Sequence, residues 1–86
     1  MRPHPLGFSD AFALVLRKQR TAKKLSRQGL AQRAGLHQTY IGLIERGISN
    51  PSLDAAYALA GALDMPLSKL IIEAEALKGG RAATEE

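Results

Sequence analysis

Residues 25–47, LSRQGLAQRAGLHQTYIGLIERG, limit how this chain can fold more than any other stretch. Ser26 stands where a helix N-cap would accept a backbone N–H, and Leu30, Ala31 and Ala34 recur at helical spacing behind it. Gly35 then offers the left-handed backbone that ends a helix, which a residue with a Cβ resists. A second helical segment begins at Gln38, sets Ile41, Ile44 and Glu45 on one side, and ends at Gly47 after Arg46. Two short helices meet across Gly35-Leu36-His37, with the small Ala31 allowing close approach and Leu36 plugging the core. A glycine-containing turn of this length between two amphipathic helices is the helix-turn-helix pattern.

The flanking segments are helical too, and strand signals are nearly absent. A first helix is expected over 9–22, with Ser9 as cap, Asp10 in the first turn and Phe12, Val15, Leu16 and Gln19 on its inner side. Ile48-Ser49-Asn50-Pro51 reads as a loop. Ser52 caps a fourth helix through Leu63 with an inner stripe of Leu53, Ala56, Leu59, Ala60 and Leu63. Pro66 and Ser68 open a fifth, to about Leu77, which Gly79-Gly80 breaks. The expected organisation is a flexible arm over 1–8, one compact domain over 9–78 and a disordered tail over 79–86.

Charge and composition narrow the function. The net charge of +4 conceals an asymmetry: residues 1–46 carry nine cations against two anions, and residues 47–86 carry three against six. A basic half beside a mildly acidic half suits a polyanion-binding face and a separate partner face. Without cysteine there is no disulfide or thiolate metal site, which fits a reducing compartment such as a bacterial cytosol. The apolar stretches are broken well short of the roughly 20 residues that span a bilayer, and residues 1–7 lack the apolar core of a secretory signal. No Ser/His/Asp set, metal-ligand spacing or phosphate-binding glycine loop points to an enzyme, and His4 and His37 have no ligand cluster around them. No cofactor, membrane or small-molecule ligand is expected.

The chemistry of the motif points to duplex DNA. The major groove is about 12 Å wide, accepts one helix and shows a distinct donor and acceptor pattern for each base pair. The first turn of the second helix would face base edges, which puts Gln38, Thr39 and Tyr40 there. A Gln amide can donate to and accept from adenine, and the Thr methyl can pack on a thymine methyl. The N-terminus of the first helix, with Arg27 and Gln28, would meet a phosphate. Arg46, Ser49 and Asn50 follow the second helix as further backbone contacts.

Four pieces of sequence carry a family likeness in order and without gaps: Phe12–Arg20, Leu25–Gly35, Thr39–Gly47 and Asn50–Leu53. The chain resembles the xenobiotic-response-element group, the lambda-repressor and Cro type of helix-turn-helix. Within it the chain is similar to the short controller proteins of restriction-modification systems, and regulators of phages and mobile elements share much of the pattern. The resemblance implies an all-α, compact five-helix lambda-repressor-like DNA-binding domain. It also implies a cytoplasmic transcriptional regulator that binds a pseudo-palindromic operator as a homodimer, with two recognition helices roughly 34 Å apart. Antitoxins and bridging adaptors share the fold, so a protein-interaction module is the alternative reading.

The resemblance also implies residue roles. Recognition positions fall on His37, Gln38, Thr39, Gly42 and Leu43, with Gln38, Thr39 and Leu43 reading bases, His37 against the backbone, and Gly42 permitting close approach to the backbone or to a base edge. Tyr40 is either a backbone contact or a packing residue. Gly42 and Leu43 depart from the polar residues usual in the family, and Gly42 costs helix stability by roughly 1 kcal/mol relative to Ala. Gly29 departs as well, since the glutamate that completes a capping box is missing. Arg20 and Glu45 are expected to form a structural salt bridge between the first and third helices. The dimer interface is expected on the fifth helix, at Leu67, Leu70, Ile71, Ala74 and Leu77, with part of the fourth.

Overall fold

The computed structural model describes residues 7–85, with side chains through Gly79. Five helices fill it: α1 Phe8–Ala22, α2 Arg27–Ala34, α3 Gln38–Glu45, α4 Leu53–Ala62 and α5 Leu67–Glu85. Among the described residues there is no strand. α1 packs on α5 and α3, α2 on α3 and α4, and α4 on α5. The core is aliphatic. Leu16, Leu30, Ile41, Ile44, Leu59, Leu63 and Leu70 are its largest fully buried side chains, one or more from each helix. Burying such a side chain is worth about 1.5–3 kcal/mol, so every helix is anchored by packing rather than by propensity.

The caps set the helix boundaries. The Ser26 hydroxyl accepts from Gly29 N–H at 2.9 Å to start α2, and Ser52 accepts from Ala55 N–H at 3.0 Å to start α4. Gly35 takes φ +72° after α2, and Gly47 takes φ +75° just past α3. Beyond Gly47 the chain folds back so that Ile48 and Ser49 N–H both donate to the Leu43 carbonyl. The N-cap of α1 differs from expectation. It is Gly7, whose N–H donates to the Asp10 carboxylate at 3.0 Å, and Ser9 lies inside the helix. Asp10 therefore does the local capping that the sequence assigns to Ser9, and the other Asp10 oxygen lies beside Gly47, where an added Cβ would meet it at 3.0 Å.

Two further expectations need correction. Leu53 is not on the inner stripe of α4: it is 80% exposed, because Ala55, Ala56, Leu59, Ala60 and Ala62 face the core and leave the first residue of the helix outside. The fifth helix does not end at Leu77. Its backbone continues through Gly79 and Gly80 to Glu85. Glycine weakens a helix but, unlike proline, does not block it, and Arg81, Ala82 and Ala83 beyond are good helix formers. Residues 1–6 of the expected arm, with His4, lie outside the described residues, and α1 already begins at Phe8. Among the described residues no single helix is long and apolar enough to cross a membrane.

Candidate nucleic-acid interface

α3 is held from behind by two arginines that make three hydrogen bonds to one carboxylate. Glu45, at its last turn, is buried, and its side chain is 0% exposed. Arg20 Nε donates to Glu45 Oε2 at 2.6 Å, and its Nη2 donates to Oε1 at 3.0 Å. The remaining Nη1 donates to the Leu25 carbonyl at 2.8 Å, tying the turn before α2 into the same cluster. Arg27 Nε adds a third bond to Glu45 Oε1 at 3.0 Å. Burial alone would push the Glu45 carboxyl up. The hydrogen bonds from Arg20 and Arg27, together with their charges, overcome that and hold it below the usual carboxylate range. Two cations on one anion leave the cluster with a net positive charge where α1, α2 and α3 converge.

The Arg20–Glu45 bridge implied by the family is thus present as a bidentate pair. The Arg27 contact is new. The sequence offers no signal for it, because no spacing rule connects positions 27 and 45, and only the docking of α2 on α3 brings them together. Arg27 is nevertheless 40% exposed along its side chain, so part of its guanidinium faces outward.

The outer side of α3 has a different character. His37 is the N-cap and its side chain accepts no backbone N–H, as its poor capping chemistry suggests. His37, Gln38, Thr39 and Arg46 are exposed, while Gly42 and Leu43 are half-buried. Arg20, Ser26, Arg27, Gln28 and Gln38 line one open polar depression between the starts of α2 and α3. The structure therefore brings Arg27, Gln28 and Gln38 together beside the N-termini of two helices, where backbone N–H groups favour an anion. Tyr40 is half-buried and packs against the core. Its hydroxyl accepts the Ser52 N–H at 3.4 Å, which links α3 to the start of α4 and leaves the phenol proton available to a second acceptor. Ser49 is half-buried and Asn50 exposed, both past the end of α3.

The five residues expected in a dimer interface do not share a free surface. Leu70 and Ala74 are fully buried in the chain's own core, because the face of α5 they occupy packs against the rest of the bundle. Leu67 and Ile71 are half-buried at its edge. Leu77 is exposed and lines a different hollow, with Leu14, Val15 and Lys18 of α1. The larger apolar exposure belongs to α4. Leu53 and Tyr57 are 80% and 71% exposed and lie one helical turn apart. Leu53 borders an apolar hollow of about 320 Å³ with Phe8, Phe12, Ala56 and Ile71, and Tyr57 borders another with Met65, Pro66 and Leu67. The i, i+4 spacing of Leu53 and Tyr57 was the available signal for this face.

Comparison with known proteins agrees with this architecture. Residues 16–70 match the family described as Helix-turn-helix. The chain is 41% identical over 66 residues to control protein C.SmaI of Serratia marcescens, covering 77% of this chain and 79% of that protein. It is 39% identical over 64 residues to the immunity repressor of Bacillus phage phi105, covering 74% of this chain but 42% of that longer protein. Among solved structures it resembles the restriction-modification controller protein C.AhdI from Aeromonas hydrophila, with a TM-score of 0.70 and 44% identity over 72% of this chain and 94% of that one. The matched span includes the Gly35 turn, the Arg20–Glu45 bridge and the whole of α3, and on those grounds the chain belongs to the helix-turn-helix family.

Proposed function

We propose that this protein is a sequence-specific, DNA-binding transcriptional regulator of the bacterial cytoplasm that acts as a homodimer on a pseudo-palindromic operator. The observation that carries the reading is the two-sided character of α3. Its inner side is fixed by Ile41, Ile44 and a buried, doubly paired Glu45, while Gln38 and Thr39 stand exposed at its start beside a cationic depression. A helix so fixed and so bare suits insertion into a major groove. Gln38 and Thr39, with Leu43 beyond them, read bases. Arg27, Gln28, His37, Tyr40, Arg46, Ser49 and Asn50 hold the sugar-phosphate backbone and set the register. The names of the similar proteins, a control protein, an immunity repressor and a restriction-modification controller, support regulation as the role.

Dimerisation runs through the α4 face, with Leu53 and Tyr57 at its centre and Leu67 and Ile71 at its edge. Exposed large apolar side chains grouped on one face of a small domain mark an association surface. The test is a titration on duplexes selected by the protein from a random library, at several salt concentrations. Specific binding is expected to exceed nonspecific binding by about a thousandfold or more and to weaken as salt rises. Equal affinity for every duplex defeats the reading. A Tyr57→Asp variant is expected to be monomeric by light scattering and to lose cooperative occupancy of the two half-sites.

A further inference from the structure

Of the glycines in and around the helix-turn-helix, three have a reason inside the protein. Gly35 and Gly47 hold positive φ angles. A Cβ on Gly29 would press on the Ser26 hydroxyl, at 3.3 Å, that caps α2. Gly42 has no such reason. It lies inside α3 with ordinary helical backbone, and a Cβ built on it meets nothing within 4 Å. Alanine would fit there and would strengthen the helix. Gly61 in α4 is equally free of contacts, so the empty space alone names no ligand; what sets Gly42 apart is its place on α3, the helix read as entering DNA.

The position of Gly42 narrows what can lie against it there. It shares the outer face of α3 with Thr39 three residues before it and Arg46 four residues after it, both exposed. The missing side chain leaves a notch of bare helix backbone, where a Cβ would meet nothing within 4 Å, with Gln38 and Thr39 one turn before it and Arg46 one turn after it. The notch has no charged group at its centre. In the major groove the one apolar projection from a base pair is the 5-methyl group of thymine. We propose that Gly42 is a specificity-determining position: its notch receives a thymine methyl and lets the base pair approach the helix more closely than any side chain would allow. The inference rests on α3 being the DNA-reading helix, and it assigns the central outer position of that helix a ligand group and a mechanism.

Gly42→Ala and Gly42→Ser are compared with the wild type on the duplex that the wild type selects from a random library, on copies with each thymine replaced in turn by uracil, and on an unrelated duplex. Gly42→Ala is expected to melt about 5 °C higher and to bind the selected duplex about tenfold more weakly, with affinity for the unrelated duplex unchanged. Uracil, which removes the methyl alone, is expected to weaken the wild type about threefold at one position of each half-site and to leave Gly42→Ala insensitive there. Gly42→Ser follows the same pattern without relying on the thermal gain. The inference is overturned if Gly42→Ala keeps the selected affinity within about twofold, or loses selected and unrelated affinity together, or if both proteins respond alike to every uracil. A wild type that prefers no duplex at all overturns the DNA-reading assignment itself, an outcome distinct from these.

Discussion

Ile41, Ile44 and Glu45 face into the domain; Gln38, Thr39 and Arg46 of the same two-turn segment face out of it. Every inward residue has its partners inside the chain. Ile41 and Ile44 are 0% and 1% exposed, and Glu45 takes three hydrogen bonds from two arginines. No outward side chain has a hydrogen-bonding partner within the described residues, and one outward position, Gly42, lacks a side chain altogether. The inner side answers to folding free energy and the outer side to binding free energy. The two sides can then be perturbed separately, and the degree to which they separate tests the comparison.

The largest effect is expected at Arg20. Arg20→Met keeps most of the stem's volume but strands the buried Glu45 with Arg27 alone, a change that removes about 3–5 kcal/mol of stability. Against a total of about 5–15 kcal/mol for a domain of this kind, the variant should melt far below the wild type in a calorimetric or circular-dichroism scan. Its DNA affinity should recover at low temperature, where the folded fraction recovers. A melting temperature close to that of the wild type would show that α3 is not held from behind in the way proposed.

Acid should act on the same cluster without a mutation. The Glu45 carboxyl is held below its ordinary value in the folded chain, so the folded state binds fewer protons than the unfolded state near that value. The stabilisation is fully present above the ordinary carboxylate value near 4.5 and is lost as pH falls through the depressed folded one. Denaturation midpoints should be flat from neutral pH down to that region and then drop. In Glu45→Gln, less stable throughout, the drop below pH 4.5 should be shallower. Parallel curves would place the acid sensitivity elsewhere.

On the outer side the effects should appear in binding alone. Gln38→Ala is expected to change stability by less than about 0.5 kcal/mol and to lose about 1–3 kcal/mol of discrimination at one base pair. The readout is a competition of matched and single-substituted duplexes, and the expected result is a flattened preference at that pair. A loss of melting temperature comparable to that of Arg20→Met would mean that Gln38 belongs to the fold.

How far these sides could be read in advance follows from the same division. The turn was legible because Gly35 marks a backbone conformation that few other residues take, and Ser26 and Ser52 were legible because capping is local chemistry. The inward stripes of α1 and α3 were legible because large aliphatics recur there at helical spacing. α4 was harder. Its buried face is mostly alanine, so the contrast between faces is weak, and helical spacing places Leu53 inward although it lies outside. The family resemblance puts Leu70 and Ala74 toward a partner, and periodicity does not correct it, because it cannot say whether an apolar stripe meets its own chain or another; both are buried in their own core. Ser9 lost the cap to Asp10 and Gly7 through a shift of two residues. The exposed Gln38 and Thr39 were picked out by the chemistry of base edges, which no folding rule supplies.

Arg27 lies on the boundary and gives the smallest but most informative effect. Its Nε is committed to Glu45, and its side chain is 40% exposed beside Gln28 and Gln38. If it served the fold alone, Arg27→Ala would lower stability and leave the salt dependence of binding unchanged. If it served DNA alone, the reverse would hold. In the proposed function it serves both. Glu45 fixes the Nε edge of the guanidinium plane, and the opposite edge is then presented to a phosphate without the rotamer freedom a lone arginine would lose. Solvent screening limits the stability term for so exposed a cation to about 0.5 kcal/mol, since Arg20 keeps Glu45 paired. The binding term should appear as a fall of about 0.9 in the slope of log K against log salt for each subunit, with sequence preference intact. Arg27→Lys separates the roles further. It restores the charge but not the planar two-edged contact, so the salt slope should return while the affinity stays below that of the wild type.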